Sequence, residues 1–127
     1  MSAFPERLPR ADRIRRREDF LRIQSEGRRV HTPHFILVVL PATDTRLRLG
    51  VTVSRRVGDS VRRNRVKRLV REVFRRNRGL FPPASDVVVV ARAGASGLDY
   101  AAVCAEFGAA DGALRRAATS KREGRDT

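Results

Sequence analysis

Hydrolytic or nucleophilic chemistry needs a general base, a nucleophile or a cluster of metal ligands, and this chain offers few candidates. Its histidines are His31 and His34. Pro33 separates them in a segment expected to be extended, which turns the two rings apart, and no carboxylate flanks either in sequence. Both are expected to be surface or loop residues. Asp12, Asp19, Asp44, Asp59, Glu72 and Asp86 stand singly, several of them where a cap or turn would use them. Two-metal hydrolysis instead needs several carboxylates converging. Ser54 has no base partner near it, and Gly50, Gly58 and Gly79 are isolated, without the spacing of a phosphate loop. Cys104 is the lone cysteine, which excludes an intramolecular disulfide and any Cys-based zinc site. No catalytic residue and no metal ligand is expected.

The abundant chemistry is that of the guanidinium group. Twenty-eight basic residues, twenty-six of them arginine, stand against fourteen acidic ones, for a net charge of +14 and a pI near 11.7. Arginine grips phosphate bidentately and stacks on bases. Residues 54–78 concentrate this charge, with eleven Lys or Arg against Asp59 and Glu72. Within them Val66, Leu69, Val70, Val73 and Phe74 recur at i, i+3, i+4, i+7 and i+8, one stripe of an α-helix. Asn64, Lys67, Arg68, Arg71, Arg75 and Arg78 fall on the opposite arc. A merely solvated helix face is the plainer reading, but such faces usually alternate signs to form i,i+4 pairs. A ridge of one sign repels itself, so a polyanion is expected on it, and nucleic acid is the class that fits.

The elements that must position this ridge make one α+β domain, since 41% apolar residues at this length can bury a core. Residues 1–16, with Pro5, Pro9 and the start of an arginine cluster, are expected to be a flexible basic arm. A short helix is predicted over about 18–26, with Phe20 and Ile23 inward and Gly27 in the left-handed position that ends helices. Residues 34–40 read as a strand between Pro33 and Pro41. Residues 46–53 alternate, apolar on odd numbers, as a half-buried strand does, and 42–45 would close a hairpin. Asp59 or Ser60 caps the basic helix, Val61 lies in its entering turn, and Gly79 and Pro82-Pro83 end it. Four valines, 87–90, suit a central strand covered on both faces. Ser96-Gly97-Leu98-Asp99 has the form of a capping box with Asp for Glu. Tyr100, Val103, Phe107, Ala110 and Leu114 follow at helical spacing, with the second half weakened by Gly108 and Gly112. Residues 118–127 are expected to be a flexible polar tail. No apolar run approaches the roughly 18–20 residues that span a bilayer. The basic N-terminus lacks the apolar segment of a secretory signal, so a cytoplasmic location is expected. The crossover from the strand at 47–53 to that at 86–92 would be right-handed by general preference.

Arg63-Asn64-Arg65, followed by Val66-Lys67-Arg68-Leu69-Val70-Arg71-Glu72, resembles the signature basic helix of the bacterial ribonuclease P protein subunit. Gly50-Val51-Thr52-Val53-Ser54-Arg55-Arg56-Val57-Gly58 resembles the strand and turn leading into that helix, with arginine where lysine is common. Asp19-Phe20 and Gly27-Arg28 resemble the family's first helix and its end, and residues 86–91 and 98–100 its last strand and helix. The likeness runs from about residue 17 to 116. It implies an α-β-β-β-α-β-α two-layer sandwich over residues 17–117, with a mixed sheet and a left-handed βαβ crossover, like the second domain of ribosomal protein S5. It also implies a protein monomer that joins a catalytic RNA subunit in removing the 5′ leader of precursor tRNA, an endonucleolytic, Mg²⁺-dependent hydrolysis that leaves the mature 5′ end. The Mg²⁺ is held mainly by the RNA and substrate, so the ribonucleoprotein is the endoribonuclease and the protein alone is expected to be inactive.

Carried over position by position, the resemblance gives RNA-subunit binding to Arg55, Arg56, Arg63, Asn64, Arg65, Lys67, Arg68 and Arg71. It gives the single-stranded leader to Phe20, Phe35 and Leu37, in a cleft between the first helix and the sheet, although Phe20 and Phe35 fit a plain core role equally. Gln24 and Val38 stand where many members carry aromatics, which implies a less aromatic, more arginine-dependent leader site. Two other classes share the charge. A ribosomal or other structural RNA-binding protein needs no leader cleft, and an autonomous metal nuclease needs some of the six carboxylates to converge in the fold.

Overall fold

The two most apolar strands take the two inner positions of the sheet. The computed structural model describes residues 8–42 and 44–126, with side chains through Thr119. Among them the strands are β1 (Arg28–His31), β2 (Phe35–Pro41), β3 (Arg48–Val53) and β4 (Ser85–Ala91). The helices are α1 (Arg17–Glu26), α2 (Ser60–Arg76), α3 (Tyr100–Ala109) and α4 (Asp111–Asp126). The strand order is β1-β2-β4-β3, with β4 parallel to β3 and antiparallel to β2. The valines of β4 are therefore paired along both edges, and Val87, Val88 and Val89 are fully buried. This mixed-sheet α+β fold is the class expected. The hairpin over 42–45 is not, because β4 lies between β2 and β3 and satisfies both. β2 forms its hairpin with β1 instead. That edge strand carries a single apolar residue, Val30, so no alternation marked it.

The two faces of the sheet are covered differently. Phe35, Leu37 and Val39 of β2, Leu49 and Val51 of β3 and Val87 and Val89 of β4 share one core with Val66, Val70, Val73 and Phe74 of α2, Phe107 of α3 and Leu114 of α4. Phe81 ties this core together, its ring centroid 4.9 Å from Phe74 and 5.8 Å from Phe107, distances at which tilted aromatic pairs attract. On the other face Val38, Leu40 and Val88 pack with Ile14 and with Ile23 of α1. So α2, α3 and α4 lie on one side and α1 on the other.

Several local expectations change. Gly27 has φ −76°, not a left-handed value; a Cβ there would lie 2.7 Å from both the Ile23 carbonyl oxygen and Val38 Cγ1. Glycine is needed for the close approach of the chain to β2. Asp99, not Ser96, caps α3, accepting from the Ala102 N–H, because Ser96 is held in a 3-10 turn, Ala95–Gly97. The helix expected through Leu114 breaks at Ala110, and α4 then runs to Asp126 where a flexible tail was expected. Residues 8–14 are not a free arm. Leu8 and Ile14 are buried, the Ile14 N–H donates to the Leu49 carbonyl at 2.9 Å, and Arg13 bridges Leu49 in parallel sense. The open edge of β3 and two apolar anchors hold the segment there. Residues 1–7 of the expected arm lie outside the described residues.

Candidate nucleic-acid interface

α2 begins where Asp59 accepts from the Arg62 N–H at 3.0 Å, satisfying one of the donors a helix start leaves open. Burial of Val66, Val70, Val73 and Phe74, with Leu69 half-buried at the margin, fixes which arc faces outward. Asn64 and Arg68 are exposed on it, as are Arg55 and Arg56 in the preceding 3-10 turn, while Lys67 and Arg71 are half-buried on one flank. Val61, in the entering turn as expected, is 74% exposed on the same outward arc.

Not every arginine of the stretch is available. Arg63 donates through Nε to the Gly58 carbonyl, bracing the turn. Arg65 donates to the carbonyls of Ser96 at 2.8 Å and Leu98 at 3.3 Å, which ties α2 to the 3-10 turn before α3. Arg75 and Arg76 flank Glu72, at 2.6 and 3.9 Å. The Arg75 hydrogen bond outweighs burial and holds the Glu72 carboxyl below its usual range. Arg76 also lies over the Tyr100 ring, and Arg78 pairs with Asp12 at 2.8 Å. The ridge is thus narrower than its residue count. Arg55, Arg56, Arg62, Lys67, Arg68 and Arg71 remain, none with a carboxylate within ion-pair distance among the described residues. Such an unneutralised line attracts a phosphate backbone and releases its condensed counterions.

Phe35 and Leu37 are brought to the wrong place for a leader. Both are fully buried, on the sheet face under α3 and α4, so they cannot touch a strand of RNA. The side chains of β2 that face α1 are the even-numbered ones. On that face the register sets His31, Ile36, Val90 and Thr52 in one row across the four strands. The next rows lie beneath α1, with the Phe20 ring seated where a Cβ on Gly50 would be, 2.7 Å from it. Phe20, Ile36, Val90 and Thr52 are each half-buried and His31 is exposed, so an apolar strip of sheet lies open beside α1. Phe20 is the one leader residue of the sequence reading that borders it. Val38, with only 1% exposed, is under Gly27 and off the surface, and Gln24 is half-buried at the edge of α1.

Four of the six carboxylates each have a partner of their own, and Asp19 and Asp86 share Arg22 and Arg48. Asp12 pairs with Arg78, Asp44 with Arg46 and Glu72 with Arg75, while Asp59 caps α2. Asp86, nearly buried, receives both Nε and Nη2 of Arg48 at 2.9 Å, and Asp19 and Arg22 of α1 lie at 3.8–4.0 Å from this pair. Among the described residues no three His, Cys, Asp or Glu gather where a metal ion could be held.

The sequence reading missed one polar cluster. Glu106 of α3 accepts from the His34 backbone N–H at 2.7 Å, lies 2.8 Å from His34 Nδ1 and accepts from the Thr32 hydroxyl. Burial alone would raise the Glu106 carboxyl; the hydrogen bonds from Thr32 and His34 overcome it and hold the group below its usual range. All of these bonds go to the turn between β1 and β2, so the cluster clamps that turn to α3. His34 and Glu106 are 72 positions apart, so nothing local could reveal it.

Residues 8–116 match the family described as Ribonuclease P. The ribonuclease P protein component of Desulfovibrio desulfuricans is 52% identical over 104 residues, covering 79% of this chain and 80% of that one. That of Syntrophus aciditrophicus is 43% identical over 101 residues, covering 80% and 85%. The structure of the RNase P protein from Thermotoga maritima matches with a TM-score of 0.71 and 36% identity, over 82% of this chain and 96% of that one. For the RNase P protein of Staphylococcus aureus the TM-score is 0.70 and the identity 30%, over 77% and 90%.

Proposed function

The chain belongs to the ribonuclease P protein family, and from that premise we propose that it holds the catalytic RNA and the precursor tRNA leader on two opposite surfaces while the RNA performs the hydrolysis. As a member of the family it is a component of an endoribonuclease that matures the 5′ ends of tRNA. The observation that carries the RNA-binding role is the unneutralised line of Arg55, Arg56, Arg62, Lys67, Arg68 and Arg71. The leader lies on the strip beside α1. Phe20, Ile36 and Val90 give it an apolar floor, and His31 and Thr52 end the row with hydrogen-bonding groups; Phe35 and Leu37 take no part.

Mg²⁺ belongs to the RNA and its substrate, where it would neutralise phosphate charge and activate water. Among the described residues Asp12, Asp19, Asp44, Asp59, Glu72 and Asp86 are directed to other tasks, as a cap and as partners of arginine. Its own contribution is to bind and orient. Among the described residues no helix is long and apolar enough to cross a membrane, and we place the chain in the cytoplasm with its substrate.

Footprinting of the holoenzyme on a precursor with a long leader tests the division of surfaces. Protection is expected several nucleotides upstream of the cleavage site. Ile36→Asn should remove it and raise KM about tenfold, the scale of one lost base contact, with affinity for the RNA subunit unchanged. A leader that stays unprotected in the unmodified holoenzyme would overturn the leader surface.

A further inference from the structure

The docked segment before α1 changes the shape of the cationic surface. Arg13 lies on the edge of β3 opposite Leu49, and its neighbour Asp12 is ion-paired to Arg78 just beyond the end of α2. Leu49 shares its core with Val66, Val70, Val73 and Phe74 of α2, the helix that carries Arg71. The segment therefore runs beside α2 with Arg13 toward Arg71. Arg13 uses Nε to donate to the Leu8 carbonyl at 2.9 Å, which orients its guanidinium and leaves both Nη atoms to donate elsewhere. Both side chains are half-buried, and among the described residues neither has a carboxylate partner. Burial, and then the field of Arg13, lower the pKa of the Arg71 guanidinium, which nevertheless stays charged at neutral pH. Two half-buried like charges side by side are unfavourable unless an anion joins them.

We propose that Arg13 and Arg71 form a two-arginine clamp for one backbone phosphate of the catalytic RNA, so that the segment at 8–14 is part of the RNA interface and not only cover for the β3 edge. This rests on the RNA-binding role of α2. The RNA subunit, rather than precursor tRNA, is the source of the phosphate, because Arg71 belongs to the flank of the same ridge as Arg68 and lies across the sheet from the leader strip. The arrangement also gives the segment a function in assembly. Its backbone is fastened before RNA arrives, so Arg13 is presented without the ordering cost of a free arm.

The test is affinity of the full-length protein for its catalytic RNA across a KCl series at fixed Mg²⁺, for Arg13→Gln, Arg71→Gln, the double variant and Arg68→Gln. Each single change at the clamp should weaken binding several-fold and lower the log–log salt slope by about one unit. The double variant should lose less than the product of the two single losses, because one phosphate is shared. Arg13→Lys and Arg71→Lys, which keep the charge, should retain the slope, and thermal midpoints within a few degrees of the parent confirm that each variant folds. A slope unchanged by Arg13→Gln and Arg71→Gln while Arg68→Gln lowers it overturns the clamp and leaves the role of α2 intact. A slope unchanged in all variants overturns both. Strictly multiplicative losses mean two separate phosphates, and losses seen only for precursor tRNA mean the wrong RNA; either result also overturns the clamp.

Discussion

Arg65 and Arg68 are one turn apart, chemically identical and both exposed, yet they do different work. Arg65 is anchored to two carbonyls near α3, while Arg68 has no partner among the described residues. Arg68→Gln should therefore weaken RNA binding and flatten its salt dependence by about one counterion, with no change in thermal midpoint. Arg65→Ala should do the reverse in part, lowering stability by about 1 kcal/mol for its lost hydrogen bonds, read as a shift in the denaturation curve. The sequence made the ridge legible because one apolar stripe sets one opposite arc. It could not show which cations are already engaged, since their carbonyl and carboxylate partners lie up to 66 residues away. Phe35 and Leu37 are fully buried, which the sequence did not show for another reason. Apart from half-buried Ile36 and Pro41, β2 is covered on both faces, so its apolar run has no polar side to tell odd positions from even.

Glu106 carries the second residue-scale prediction. Its carboxyl pKa is lowered in the fold, so the clamp on the β1–β2 turn contributes stability that is present above the unfolded value of about 4.3 and is lost as pH falls through the lower folded value. Thermal denaturation from pH 7 down to acid should show that loss, and Glu106→Gln should remove its share of the decline while lowering stability at pH 7.

At the scale of elements, α2 must be seated before it can present anything. Phe74 is wholly buried between the sheet and Phe81, so Phe74→Ala should cost about 3–5 kcal/mol, measured by urea denaturation, and abolish RNA binding only through unfolding. α1 is held differently. Ile23 fixes it to the sheet, and the Arg48–Asp86 pair, with Asp19 and Arg22, ties its polar side down. Asp86→Asn should leave Arg48 poorly compensated and lower stability by about 2 kcal/mol. In the folded fraction it should raise KM for precursors with long leaders, because α1 borders the strip. Most elements were legible from periodicity, including the helix start at Asp59 and the central valine strand. The strand order was not. A pattern of apolar residues gives a strand's buried face but not its neighbour, and β3 pairs with β4 across a whole intervening helix.

For the molecule as a whole, charge indicated a polyanionic partner and the ordered motifs over four-fifths of the chain indicated the family. The fold then separates two surfaces, a cationic ridge with its docked N-terminal segment and an apolar strip beside α1 on the other face of the sheet. Among the described residues no cluster of His, Cys, Asp or Glu that could hold a metal ion stands on either surface, and Asp12, Asp19, Asp44, Glu72 and Asp86 pair with arginines. The central claim is that this chain binds and the RNA cleaves. Cleavage of precursor tRNA at low Mg²⁺ by nuclease-treated protein, by the catalytic RNA and by the two together tests it most directly. The account predicts no cleavage by the protein alone and a lower Mg²⁺ requirement for the pair than for the RNA. Correct 5′ cleavage by the protein alone, surviving the nuclease treatment, would contradict it.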